Sequence, residues 1–541
     1  MKKRIFLFLL IAMQQLPGTA FGQKNKPASG TVITGVETAI VQTAYGKVMG
    51  YIHDGIFTYK GIPYAKAARF MVPQKPASWS GIRSSLTYGP VCPTDLTTTV
   101  NDEFEFVFQH NWGYTNENCQ SLNIWTSKIY DGKKRPVMVW LHGGGFTAGS
   151  SVELPSYDGE NIARKGEVVL VSLNHRLNIL GFLDLSAYGE KYKSSANAGL
   201  LDLVAALQWV KQNIDQFGGD PENVTIFGQS GGGAKVSSLM NAPDAKGLFQ
   251  KAIVESGSYL NKFAEKSVAQ QISAALLQEL GLQPSQVDSL QNISYEVLNA
   301  AGKAALKKVE MGLRATGKTI AGFGLSWGPI LDGLLLPYQP DEAAAVAISN
   351  NIPLLVGSTK NEFAPFIPGT RNITMDKAKI QLEKKYAGKT ADYLSAVLKA
   401  YPATTKPSDY LDLDFTFRAG TVRQANQKAI PGAAPVYMYM FTWQSPVNEG
   451  IYKAMHCMEL PFVFNNIARC QEMTGGGKEA YVLADKMSQA WINFARSGNP
   501  AAANLPPWPA YTKENGTLMI FDNKCEVKSN YDKELLAVSG N

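Results

Sequence analysis

Residues 223–235 read Asn223-Val224-Thr225-Ile226-Phe227-Gly228-Gln229-Ser230-Gly231-Gly232-Gly233-Ala234-Lys235. The opening residues form a short apolar, β-branched run that predicts a buried strand, and the residues after Ser230 predict a helix. Gly228 to Gly232 fit G-x-S-x-G, and between a strand and a helix this pattern is a nucleophile elbow. The turn holds the serine in a strained backbone conformation with its hydroxyl clear of the sheet. Glycines two before and two after it remove Cβ atoms that would strike the neighbouring strand and helix.

Working outward, similar short runs occur at Val137 to Leu141, Val168 to Leu173, Lys251 to Glu255, Pro353 to Gly357 and Val436 to Phe441. Between two of them Leu200, Leu201, Val204, Leu207, Val210 and Ile214 recur at helical spacing, with Lys211, Gln212 and Asp215 on the other face. Strands alternating with crossover helices predict an α/β fold around a mostly parallel sheet flanked by helices. Two stretches, roughly 265–350 and 370–430, are Ala-, Leu- and Lys-rich and predict helical insertions without a convincing strand. No repeat period or linker divides the chain, so residues 23–541 are expected to form one domain.

Composition agrees with a large soluble enzyme: 541 residues, 45% hydrophobic, 18% charged, 49 Gly and 28 Pro. This excludes disordered, collagenous and coiled-coil classes. Lys2, Lys3 and Arg4 precede nine apolar residues from Ile5 to Met13, then Pro17 and Ala20-Phe21-Gly22. That pattern predicts a signal peptide over residues 1–22, cleaved after Gly22, and a periplasmic or secreted protein. The apolar run is too short for the roughly 20 residues of a membrane-spanning helix. The formal charge is +7, and no basic run is denser than Gly132-Lys133-Lys134-Arg135, so no nucleic-acid partner is expected.

Of five cysteines, Cys92 and Cys119 flank a polar loop, and joining them would stabilise the fold by about 3 kcal/mol. Cys457, Cys470 and Cys525 cannot all pair with one another. No CxxC or zinc spacing occurs, and neither a metal nor an organic cofactor is called for.

The strand ending at Leu141 runs into His142-Gly143-Gly144-Gly145-Phe146. Such a loop can aim backbone N–H groups at the oxyanion of an acyl intermediate, and Gly144, Gly145 and Gly231 are the expected donors. It is not a phosphate loop, because Phe146-Thr147 stands where Lys and Ser or Thr would be needed. A serine nucleophile needs a base. Of His53, His110, His142, His175 and His456, only His456 follows Ser230, as the order serine, acid, histidine requires. The acid should follow a strand, which points to Glu362, while Asp332, Glu342 and Asp412 stay open on position alone.

Taken together these residues resemble the type-B carboxylesterases of the α/β-hydrolase superfamily, which include para-nitrobenzyl esterases and cholinesterases. The likeness begins at Tyr59-Lys60-Gly61-Ile62-Pro63-Tyr64-Ala65 and Tyr88-Gly89-Pro90-Val91-Cys92. It continues through Glu117-Asn118-Cys119-Gln120, Asn174-His175-Arg176-Leu177 and Asn197-Ala198-Gly199-Leu200-Leu201-Asp202, and ends at Ser497-Gly498-Asn499-Pro500 and Trp508-Pro509-Ala510-Tyr511. The resemblance implies a serine esterase acting on small-molecule esters through Ser230, Glu362 and His456. Lys360-Asn361-Glu362-Phe363 is similar to the family's acid segment, and Ala454-Met455-His456-Cys457-Met458-Glu459-Leu460-Pro461-Phe462 to its histidine segment. It also implies a Cys92–Cys119 disulfide and a supporting contact from Ser256 to the histidine.

Two departures stand out. Gln229 occupies a position commonly held by Glu, which removes a charge favourable to cationic esters, and Gly231 stands where Ala is usual. Trp112 is a candidate for either a cavity wall or loop packing. Related readings are an amidase or thioesterase of the same chemistry, and a neuroligin-like binding protein, which typically lacks the nucleophile. If His456 is the base, activity falls at acid pH as it gains a proton.

Overall fold

The computed structural model describes residues 30–95, 101–258, 262–318, 324–366, 369–413 and 415–539, so the expected leader lies outside the described residues. Its centre is a twelve-stranded sheet. The strands Val169–Leu173, Arg135–Leu141, Gly219–Gln229, Lys251–Glu255, Leu354–Thr359, Val436–Phe441 and Thr517–Phe521 lie side by side in that order, all parallel. Antiparallel strands extend both edges: Ser121–Thr126, Ile56–Pro63, Tyr51–His53 and Val32–Ile33 on one side, Glu526–Ser529 on the other.

The central residues of the parallel strands are buried and mostly apolar because both faces are covered. Val137, Val139 and Leu141 face a core shared with the crossover helix Ala198–Asn213 and the helix Tyr295–Ala315. Their neighbours Met138 and Trp140 face a second core, filled by Met487, Trp491 and Phe494 of the helix Lys478–Ser497. The period-two alternation of a strand thus divides one sequence run between two cores.

Two of the motif segments meet inside the first core. Arg176 is buried, and its Nε and one terminal nitrogen donate to Asp202 at 2.9 and 2.7 Å, while its other terminal nitrogen donates to the carbonyls of Ala68 and Met71. A buried charge pair this fully hydrogen-bonded fixes the geometry of the segments it joins.

The helices Lys266–Glu279 and Tyr295–Ala315, and later Met375–Tyr386, Thr390–Ala400 and Thr416–Lys428, stand outside the sheet order. The first stretch does contain strand, contrary to the sequence reading: Ala264–Glu265 pairs in parallel with Ile330–Leu331. Two residues per strand are too few for a periodic signal.

The Cys92–Cys119 bridge is not formed. Both are free thiols buried side by side, with Cys92 Sγ accepting the Leu177 N–H at 3.2 Å and the Cys119 thiol pushed up by its hydrogen bond to Cys92. Cys457, Cys470 and Cys525 are free as well.

Candidate active site

Ser230 ends the strand Gly219–Gln229 and caps the helix Gly231–Met240 with φ 56° and ψ −126°, a conformation L residues rarely adopt. The turn holds because Ser230 N donates to Glu255 O at 2.8 Å and Ser230 O accepts from Ala234 N at 3.0 Å. A Cβ on Gly228 would lie 2.6 Å from Leu141 O, and one on Gly232 only 1.9 Å from the same oxygen. Gly232→Ala is therefore expected to cost at least about 3 kcal/mol, since backbone meets backbone and neither side can yield. Urea unfolding of the variant measures this, and a midpoint equal to the parent's would refute it.

The loop after Arg135–Leu141 lies directly on this elbow. Gly144 and Gly145 have φ of 79° and 61°, and a Cβ on Gly144 would fall 2.4 Å from Ala148 O. A Cβ on Gly231 would lie 2.4 Å from Gly145 N. Glycine at 231, where the family usually has alanine, is what lets the loop approach so closely. Gly144, Gly145, Ser230, Gly231 and His456 all line one cavity of about 1010 Å³.

Glu362 follows the strand Leu354–Thr359 and is fully buried, with φ 35°. Its Oε2 lies 2.5 Å from His456 Nδ1, while Oε1 accepts from Ser256 Oγ at 2.7 Å and from Thr359 N at 2.9 Å. The backbone repeats the link, His456 N donating to Glu362 O at 3.0 Å. Ser256 thus supports the acid rather than touching the imidazole. Rings of Phe363 and Phe417 flank the imidazole at 4.3 and 5.2 Å.

Gln229 is buried under the histidine. Its Nε2 lies 3.3 Å from both ring nitrogens of His456, and its Oε1 accepts from the Cys457 thiol at 3.2 Å. Among the described residues Ser230 Oγ makes no hydrogen bond to His456; the carboxamide stands beside the imidazole instead. Hydrogen bonds of this kind are often loose until substrate binds. The rival acids lie elsewhere: Asp332 accepts from Leu334 N and Leu336 N, Glu342 from Gln339 N, and Asp412 pairs with Lys453.

Sequence reasoning missed two buried acids under the site. Burial pushes Glu255 up to about 8, against the lowering effect of Trp491 Nε1, which donates to it at 2.6 Å. Burial and the neighbouring carboxyls of Glu362 and Glu255 hold Glu459 well above its usual range. A carboxyl whose folded affinity for protons exceeds its unfolded one stabilises most at low pH, and that contribution is lost as pH rises from 4.5 through about 8. Glu255→Gln is accordingly expected to raise the melting temperature more at pH 8.5 than at pH 5; calorimetry at both values checks it, and an equal shift would refute it.

Phe104 and Phe108, from the segment between Cys92 and Cys119, form part of the cavity wall, with Tyr157, Trp327, Phe363 and Phe417. Trp112 is half exposed and stacks on His110 at 4.6 Å, so it is loop packing and His110 is the wall residue. No helix among the described residues is long and apolar enough to cross a membrane.

Residues 37–539 match the model of the carboxylesterase family. The chain is 38% identical to para-nitrobenzyl esterase of Bacillus subtilis (strain 168) over 92% of its own length and 97% of that protein's, and 33% identical to human cocaine esterase over 88% and 87%. Among solved structures, an esterase from anaerobic Clostridium hathewayi, which can hydrolyse aliphatic aromatic polyesters, aligns with a TM-score of 0.80 at 37% identity, covering 94% of this chain and 99% of that one. A carboxylesterase of Geobacillus stearothermophilus aligns at 0.74 and 35%, covering 92% and 99%. With its parallel sheet and these relatives, the chain belongs to the carboxylesterase family, an α/β-hydrolase that hydrolyses carboxylic esters.

Proposed function

We propose that Ser230, His456 and Glu362 carry out the hydrolysis, and that Gly144, Gly145 and Gly231 hold the oxyanion. The observation behind this is the 2.5 Å contact between Glu362 and His456, with the imidazole opening on the cavity that Ser230 lines. With Nδ1–H donated to the carboxylate, Nε2 is left to accept the Ser230 proton as Oγ attacks the ester carbonyl. The oxyanion is received by backbone N–H groups at the loop and at the start of Gly231–Met240, each worth about 3 kcal/mol in the transition state. His456 returns the proton to the departing alcohol, and water, activated in the same way, frees the acid and restores Ser230.

The aromatic walls and neutral Gln229 favour uncharged esters with a flat or bulky group over cationic ones such as choline esters. The apolar leader after three cationic residues supports export to the periplasm or medium, where Cys92 and Cys119, already in contact, would join as a disulfide. The test is intact-mass labelling with a fluorophosphonate followed by peptide mapping. One adduct on Ser230 is the expected result; folded protein without an adduct would overturn the assignment.

A further inference from the structure

Lys235 lies one turn into the helix Gly231–Met240 and is completely enclosed. Its Nζ donates to the carbonyl of His142 at 2.8 Å and to that of Gly143 at 3.4 Å. The Gly143 oxygen also lies 2.9 Å from His142 Nδ1. In a planar trans peptide the C=O of Gly143 and the N–H of Gly144 point in opposite directions. An oxygen drawn toward Lys235 behind the loop therefore turns the Gly144 N–H the other way, and Gly144 lines the Ser230 cavity.

The surroundings are costly for a cation. The groups facing it are Glu153 and Cys92, the imidazoles of His142 and His175, and the Phe146 ring with its centroid 5.9 Å from Nζ. No ion pair to Lys235 forms among the described residues, and Glu153 is itself partly buried, with its carboxyl raised by desolvation. Burial, and next to it the Lys235 charge, holds His142 well below its usual range, so the imidazole is neutral. An apolar side chain of this length would stabilise the fold better. Among the described residues its hydrogen bonds go to the carbonyls of the glycine loop, and these offset that cost.

We propose that Lys235 is a positioning residue for ester hydrolysis: its ammonium pins the His142 and Gly143 carbonyls so that the Gly144 N–H is fixed toward the oxyanion, and its charge strengthens that site. The inference rests on the roles given above to Ser230 and the glycine loop. The ammonium is the competent form. Burial lowers Lys235 to about 7, so its proton is lost as pH rises through neutrality and turnover should fall there.

Lys235→Met and Lys235→Gln, assayed with para-nitrophenyl butyrate from pH 5.5 to 9.5, test this. Expected for Met is a kcat lowered about 10- to 100-fold, less than for deletion of an oxyanion donor, with KM within about threefold. Its melting temperature should be unchanged or higher, and the fall in kcat above neutrality seen in the parent should vanish. A kcat within threefold of the parent, or the same alkaline fall in both proteins, would overturn the proposal; if the Met variant does not fold, the Gln variant is judged by the same criteria. Fluorophosphonate labelling separates the two layers. No adduct in the parent defeats the assignment of Ser230, whereas equal labelling rates in parent and variant defeat only the role of Lys235.

Discussion

Ser230→Ala is expected to abolish the fluorophosphonate adduct and to lower kcat for para-nitrophenyl butyrate by roughly 10⁵- to 10⁶-fold. What remains is the contribution of the oxyanion donors and binding, which place the ester but offer it no nucleophile. The backbone should be undisturbed, because the turn is held by main-chain bonds to Glu255 and Ala234 and by the glycines on either side. Circular dichroism and melting should therefore match the parent. A folded variant with more than a hundredth of the parental kcat would mean that another group attacks the ester.

Glu362→Gln has the next largest expected effect, about 10³- to 10⁴-fold in kcat. The reason lies in which oxygen each partner uses. Ser256 Oγ and Thr359 N both donate to Oε1, so the glutamine carbonyl must take that place. The amide NH₂ is then forced onto His456 Nδ1, where Oε2 stood at 2.5 Å. A donor there compels Nδ1 to accept, so the ring carries its proton on Nε2, and an Nε2–H cannot take a proton from Ser230. Nitrogen-15 NMR of labelled histidine reads the tautomer directly. An unchanged tautomer together with a kcat within tenfold of the parent would refute the argument.

The parallel core was legible because strands covered on both faces are written as predominantly apolar runs, as in Val169–Leu173 and Arg135–Leu141. The strand Ser121–Thr126 was not, because Asn123 interrupts it. That side chain is buried, donating to Ser151 Oγ and Ser172 Oγ and accepting from Gly61 N, contacts between segments far apart in the chain. The candidate site divides in the same way. The elbow and glycine loop are local, so the sequence displays them, whereas the choice of Glu362 over Asp412 depends on where strand ends fall in space and needed a family likeness. Lys235 passed as an ordinary helix residue because nothing in its neighbourhood along the chain says that it is enclosed, and that Ser256 acts through Glu362 could not be read before the two strand ends were placed side by side.

The close approach of Gly232 to the Leu141 carbonyl packs the helix after Ser230 directly on the strand that carries the glycine loop. Phe104, Phe108 and Trp327 come from segments outside the parallel sheet. Libraries that randomise those three positions can therefore explore new acyl and alcohol groups while the reacting atoms stay in register, which makes the protein a scaffold whose selectivity can be evolved separately from its chemistry.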